Sequence, residues 1–291
     1  MLALLSSVLW GTSDYMGGTL SRRLPPLAVV AVSQAFGLLL MVVVVLATGS
    51  WGSPGGYVGW AILASASGLT GLWAFYTALA MGTMAIVSPI AATGIVVPII
   101  GGMLVGDTPG AIAWAGVATA IIGLSLVLIP QKEELDTDGP AAELADSRPV
   151  PHPRDHRRSI ALAFVAALMF GTSLAAIAQG SLISPVMTMF SMRVFACIVL
   201  FTGALMVRSL GGFGRRDLPA AALIGFFDVG ANLAYGLSAQ GGSLVIAAVL
   251  GSLYPVVTVL LAWRLQHERL RLAQYVGVVV ALVGVVLMSA S

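Results

Sequence analysis

Apolar runs of about 20 residues, the length needed to cross the hydrocarbon core of a bilayer, follow one another along nearly the whole chain. Only 9% of the 291 residues are Asp, Glu, Lys or Arg, and the mean hydropathy is +0.99. A soluble domain carries roughly 25% charged residues. A chain this poor in charge has too little polar surface to face water on all sides, so lipid is the solvent its sequence suits. Backbone exposed to lipid must satisfy its own hydrogen bonds, and for runs of this length that means helices. Spans are predicted at about 2–20, 27–48, 57–80, 84–105, 110–130, 160–179, 184–208, 218–239, 243–264 and 271–289. The first lacks a basic leader and runs into Arg22-Arg23 and a second apolar stretch, so it reads as a span and not a cleaved signal peptide.

The expected fold class is therefore an all-α membrane protein of ten transmembrane helices. Residues 131–158 interrupt the pattern. They are charged, contain prolines and hold almost no large apolar residue, so they are expected to form a disordered linker. The predicted organisation is a five-helix repeat over 1–130, the linker, and a second five-helix repeat over 159–291.

The two halves resemble each other at a nearly constant offset. Gly11-Thr12-Ser13 recurs as Gly171-Thr172-Ser173, and Gln34 falls opposite Arg193. Gly71 and Tyr76 fall opposite Gly230 and Tyr235. Gly116 and Gly123 fall opposite Gly277 and Gly284. Five spans per half is an odd number, which turns the second repeat over relative to the first. Inverted repeats are a recurrent plan of secondary transporters, with the substrate site near the bilayer midplane between them. A duplicated scaffold or receptor without transport is the alternative.

Of the 14 Lys and Arg residues, all but Arg193 lie in the connections after odd-numbered spans. Arg22 and Arg23 follow span one, and Arg215 and Arg216 follow span seven. Positive charge stays on the cytoplasmic side. The linker is therefore expected in the cytoplasm and both termini outside, in a plasma membrane such as the bacterial inner membrane.

Several short motifs resemble those of the EamA-type carriers of the drug/metabolite transporter superfamily. Trp10-Gly11-Thr12-Ser13 is similar to the signature opening their first helix, and Arg193 to an arginine in the second helix of a repeat. Leu253-Tyr254-Pro255 and His267-Glu268-Arg269-Leu270 resemble elements in and after the fourth helix. The first half departs from this pattern, with Gln34 in place of the arginine and Gly106-Asp107-Thr108-Pro109 at the turn. The resemblance implies a central cavity ringed by helices one to four and six to nine. It also implies export or exchange of amino acids, metabolites or drugs, without fixing a substrate.

Ionisable groups within spans usually face a cavity or a partner, because lipid penalises them. The spans hold three: Asp14, Arg193 and Asp228. Arg193 suits either an anionic substrate group or an ion pair with Asp228 or Asp14. Asp228 shares one helical face with Asn232 and Tyr235, a polar stripe unsuited to lipid, and is the candidate coupling carboxylate. Asp14 lies off-centre in span one, facing the cavity or reaching toward the interface. Gln34, Trp73, Tyr76, Asn232 and Tyr235 complete the candidate lining. Pro89, Pro98 and Pro255 are candidate hinges, since proline removes a backbone donor. The small-residue spacing of Gly116/Gly123 and Gly277/Gly284 suits close helix packing. The predicted partners are the bilayer and a small-molecule substrate, with protons a candidate coupling ion and both monomer and homodimer open. No nucleic-acid site, metal site, cofactor or enzymatic motif is legible, and the single Cys197 allows no disulfide within the chain.

Overall fold

A computed structural model describes residues 1–21, 23–81, 90–91, 93–104, 106–127, 153–207, 213–266 and 272–290. Its helices are α1 (Leu2–Ser21), α2 (Pro26–Thr48), α3 (Tyr57–Met81), α4 (Val96–Leu104), α5 (Ala111–Val127), α6 (Pro153–Ile183), α7 (Pro185–Val207), α8 (Leu218–Gln240), α9 (Leu244–Gly251), α10 (Tyr254–Gln266) and α11 (Leu272–Ser289). Among the described residues six helical runs are long and apolar enough to cross a membrane: Leu27–Thr48, Tyr57–Phe75, Arg157–Ile183, Pro185–Gly203, Leu218–Gln240 and Leu244–Leu265. Three shorter apolar helices, Thr93–Leu104, Ala111–Val127 and Leu272–Met288, accompany them. The protein is thus an all-helical integral membrane protein.

One boundary and the continuity of two spans differ from expectation. Helix α6 begins at Pro153, inside the segment assigned to the linker. Proline at the first helical position costs nothing, because that N–H has no intrahelical partner. Residues 131–152 lie outside the described part. The fourth and ninth spans are interrupted. A 3₁₀ turn at Thr93–Ile95 precedes α4, and Ser252-Leu253 separates α9 from α10. Pro98 and Pro255 fall in the first turns of α4 and α10, where a missing N–H is tolerated. The irregularity is therefore the break before each proline, not a kink at it. Pro89 lies outside the described residues.

The two halves interlock instead of packing as separate bundles. Helix α1 packs on α8 and α10, while α3 packs on α6, and α2 meets α7. The contacts come in pairs related by exchanging the halves. Ser13 Oγ donates to the Ile224 carbonyl at 3.2 Å, and its counterpart Ser173 donates to the Ala64 carbonyl at 2.8 Å. Gly11 lies against the Tyr254 carbonyl and Val257, and Gly171 lies against the Gly94 carbonyl and Val97. Each Gly-Thr-Ser motif thus seats the first helix of its half on the broken span of the other half.

Helices α5 and α11 pack through glycines, as their spacing predicts. A Cβ on Gly123 would come 2.7 Å from Ala281 Cα, and one on Gly284 would come 2.8 Å from Ala120 Cβ. Small residues let backbones approach where lipid supplies no hydrophobic drive.

At one end of the bundle Arg23 and Asp217 form a 3.0 Å ion pair between the α1–α2 and α7–α8 connections. At the other end the related connections meet through Ser184 and Ser53 at 3.2 Å. Ser184 also accepts from the Met187 N–H at 3.4 Å, and Pro185 is the first residue of α7, so the turn is built as a helix start.

Overpacking a close contact costs about 1–3 kcal/mol. Gly171→Val should therefore lower the thermal transition of the detergent-solubilised protein by several degrees. Gly17→Val, which meets nothing within 4 Å, should leave it near the wild-type value.

Candidate functional site

Gly37 on α2 and Gly225 on α8 set the site. A Cβ on Gly225 would strike the Ser33 carbonyl, and one on Gly37 would lie 3.0 Å from Val229 and 3.7 Å from Arg193 Cδ. The two backbones therefore come close, one turn from Gln34 and one turn from Asp228. That approach lets a side chain from the first half reach a carboxylate from the second.

Arg193 on α7 closes the group. Its Nη1 sits 2.8 Å from Asp228 Oδ2 and also donates to Gln34 Oε1. Gln34 Nε2 approaches the same Asp228 oxygen at 3.5 Å. Asn232, one turn along α8, donates to Asp228 Oδ1 at 3.0 Å and to the Asp228 carbonyl at 2.6 Å. Both carboxylate oxygens are thus engaged. Gln34 and Arg193 are repeat counterparts and touch directly, so they meet where the exchange of the halves maps one onto the other.

Burial is uneven across the pair. The Arg193 side chain is 2% exposed, whereas Asp228 keeps 25%. Arg193 Nε and Nη2 are buried and make no hydrogen bond to the protein, so part of the guanidinium retains donor capacity. The charge is neutralised by Asp228 while one edge of that carboxylate remains accessible.

Three aromatic rings sit nearby. Trp10 on α1 lies 5.7 Å from Tyr235 and 6.2 Å, edge-on, from Tyr254 at the start of α10. Tyr235 is fully buried, its ring against Gly251 and its hydroxyl without a protein partner. Asp14, one turn along α1 from Trp10, is exposed yet within electrostatic range of Asp228 and Tyr254.

The structure gathers Gln34, Arg193, Asp228 and Asn232, with Tyr235 one turn along α8 from Asn232, while Asp14 lies exposed on α1. Trp73 is different. It is 61% exposed, while its counterpart Asn232 is 3% exposed, and no contact joins Trp73 to the polar group among the described residues. Tyr76 lies in α3, but its side chain is outside the described residues.

Sequence reasoning missed Asp107. Its Oδ2 accepts from Ser243 Oγ at 2.8 Å and from the Val245 N–H at 2.9 Å, capping α9 from the opposite half. Ser243 in turn accepts from the Ile246 N–H at 3.1 Å, a cap within its own helix. A cavity of about 450 Å³ opens beside Asp107 and Ser243, lined also by Gln179, Leu182 and Gln240. It belongs to the end of the bundle that carries Ser53 and Ser184 and does not include Arg193 or Asp228. The only sequence signal was an acidic residue in a helix-connecting turn, opposite His267-Glu268 in the second half.

The EamA-like transporter family model matches residues 1–129 and 157–290, once over each half. The chain belongs to the EamA-like transporter family. A solved structure described only as the crystal structure of a protein is similar over 99% of this chain and 96% of its own, with TM-score 0.74 and 14% identity. At that identity the likeness shows the fold alone. No curated protein matches the chain significantly. Family membership makes this EamA-like chain a membrane transporter by kind, and its cargo a small molecule.

Removing one partner of a buried ion pair costs about 3–5 kcal/mol, because the other charge is left uncompensated. The exposed edge of Asp228 places the expectation at the lower end. Arg193→Ala should lower the unfolding free energy by about 3 kcal/mol, and adding Asp228→Ala should recover part of that loss. Chemical denaturation in detergent reads the coupling.

Proposed function

We propose that this chain is a secondary carrier of ten transmembrane helices in two inverted five-helix repeats, working by alternating access. Its cargo is a small organic molecule, amino-acid-like or drug-like, moved by export or exchange. The observation that carries this reading is the polar group at the junction of the halves. Ionisable groups inside spans are costly and commonly mark substrate or proton pathways, so an arginine, an aspartate, a glutamine and an asparagine gathered where both repeats contribute support a carrier over a plain scaffold. A carrier needs them at the place where both repeats contribute and water enters.

The ion pair favours one of the two readings of Arg193. Held against Asp228 and Gln34, it positions and neutralises the coupling carboxylate and does not itself take an anionic cargo. Asp228, with its accessible edge, is the group that exchanges a proton or a cargo contact during the cycle. The broken spans supply the hinges. Discontinuous helices in corresponding places of two repeats are where transporters of this plan bind and bend. Asp107, bridging the α9 start from the other half, fastens one end of the pathway.

The arginine distribution supports an orientation with the Arg23–Asp217 end and the segment 131–152 in the cytoplasm and both termini outside. A bacterial inner membrane fits this arrangement.

Reconstitution into liposomes with a panel of labelled metabolites and drugs tests the function. Cargo-dependent flux is expected, reduced at least about tenfold by Asp228→Asn, a loss worth about 1.4 kcal/mol of barrier. Flux unchanged by both Asp228→Asn and Arg193→Ala would end the site assignment. A folded protein that moves nothing across a broad panel would favour a scaffold or receptor. For orientation, a reporter fused to the C-terminus should be active only outside the cytoplasm; cytoplasmic activity would reverse the assignment.

A further inference from the structure

We infer that the seam between the α1–α2 and α7–α8 connections seats the headgroup of an anionic phospholipid, held by Arg23, Arg215 and Arg216 from the two halves of the chain. The inference goes beyond the carrier reading and does not depend on it.

The seam is a built turn as well as a basic one. The Asp217 N–H donates to the Gly214 carbonyl at 3.0 Å, closing a four-residue turn, and the Gly214 N–H donates back to Asp217 Oδ2 at 3.1 Å. Arg215 and Arg216 are the two central residues of that turn, and both are exposed. The other carboxylate oxygen, Oδ1, takes Arg23 from the first half at 3.0 Å. One buried carboxylate thus fixes the turn and ties it to the opposite connection. Beneath it Leu20, Val29 and Ile224 form a small buried cluster, with Leu24 and Phe213 packed against them. The three arginines therefore project from a backbone held in place on both sides of the seam.

The charge there is unbalanced. Among the described residues the seam sets three guanidinium groups against the single carboxylate of Asp217. Arg23 stays 67% exposed while paired, and its five N–H donors leave several for a second acceptor. Guanidinium groups bind phosphate oxygens in a bidentate way.

Depth names the source of the phosphate. Leu27 in the first turn of α2 is 62% exposed, and Leu218, the first residue of α8, is 38% exposed. In a membrane-spanning bundle such leucines meet acyl chains. The arginines stand immediately beyond them, where hydrocarbon gives way to phosphate. A lipid satisfies both surfaces at once, with tails on the leucines and phosphate on the arginines. Free phosphate or a soluble acidic partner uses only the second. A zwitterionic headgroup brings an ammonium into the field of the same arginines, so a net negative headgroup is preferred. Basic sites between membrane helices take anionic headgroups for this reason. The consequence is a bridge. Arg23 belongs to the first half and Arg215 and Arg216 to the second, so a bound headgroup reinforces an exposed ion pair that contributes little by itself.

The test is competition between dioleoylphosphatidylglycerol and dioleoylphosphatidylcholine, at equal mole fraction, for the purified and delipidated full-length protein. Native mass spectrometry reads which lipid is retained. The anionic lipid should be retained at least about tenfold over the zwitterionic one. Arg216→Gln should lower that preference about fivefold, the ratio that about 1 kcal/mol per basic residue at the membrane surface corresponds to. Arg264→Gln makes the same charge change at an exposed position in the last turn of α10 and should leave the preference near the wild-type value. Equal retention of the two lipids by the wild-type protein would overturn the inference, and that comparison needs no variant to fold. Equal losses from Arg216→Gln and Arg264→Gln would assign the preference to net charge and overturn the seat. Inorganic phosphate or an acidic peptide at millimolar concentration should displace nothing; displacement would make the occupant a soluble one and overturn the lipid assignment.

Discussion

A charge placed in hydrocarbon must find a partner or water, and this requirement organises the centre of the molecule. Arg193 and Asp228 come from neighbouring helices of the second half, and Gln34 from the first half completes the arginine's bonding. The trio holds α2, α7 and α8 at one spacing and in one register. Asn232 locks the carboxylate rotamer from one turn away. Lipid cannot substitute for any of these contacts. A bundle without a lipid-driven hydrophobic effect between its helices therefore gains a fixed centre from four polar side chains.

Around that centre the halves are held by shape. Gly11 and Gly171 admit the backbone of the opposite broken span, and Ser13 and Ser173 add matching hydrogen bonds one helix further on. Gly225 brings α8 onto α2 at the polar group itself. These contacts are cross-half, so neither repeat is complete alone. They are also small and sliding in character: glycine faces, serine-to-carbonyl bonds and one acid cap at Asp107.

Much of this was legible in the sequence, for physical reasons. Lipid permits only long apolar helices, so the runs and the repeat offset read directly. Intramembrane charge is rare enough that Arg193 and Asp228 stood out, and the i+4 spacing put Asn232 beside Asp228. The direct meeting of Gln34 and Arg193 follows from their being counterparts, but periodicity alone does not say that counterparts lie on the exchange axis. Trp10 and Tyr254 were read only as motif letters, because their contact joins residues over two hundred positions apart. Asp107 was hidden for a similar reason: its partners, Ser243 and Val245, lie in the other half. Trp73 shows where symmetry misleads. Its counterpart is buried in the polar group, yet Trp73 is exposed, because the halves have diverged in side chain while keeping their backbone plan. The start of α6 at Pro153 was hidden by a polar sequence that composition assigns to a tether.

If the chain is the carrier proposed above, Asp14 and Asp228 border a water-filled hollow between the halves, reachable from one face of the membrane at a time. Thiol accessibility tests it most directly, because Cys197 is the only native cysteine. In a Cys197→Ala background, Asp14→Cys should react with a membrane-impermeant thiol reagent applied to one face of oriented vesicles, and cargo should shift that reactivity toward the other face. Reaction only with lipid-soluble reagents, from either face and indifferent to cargo, would place position 14 against lipid and contradict the hollow.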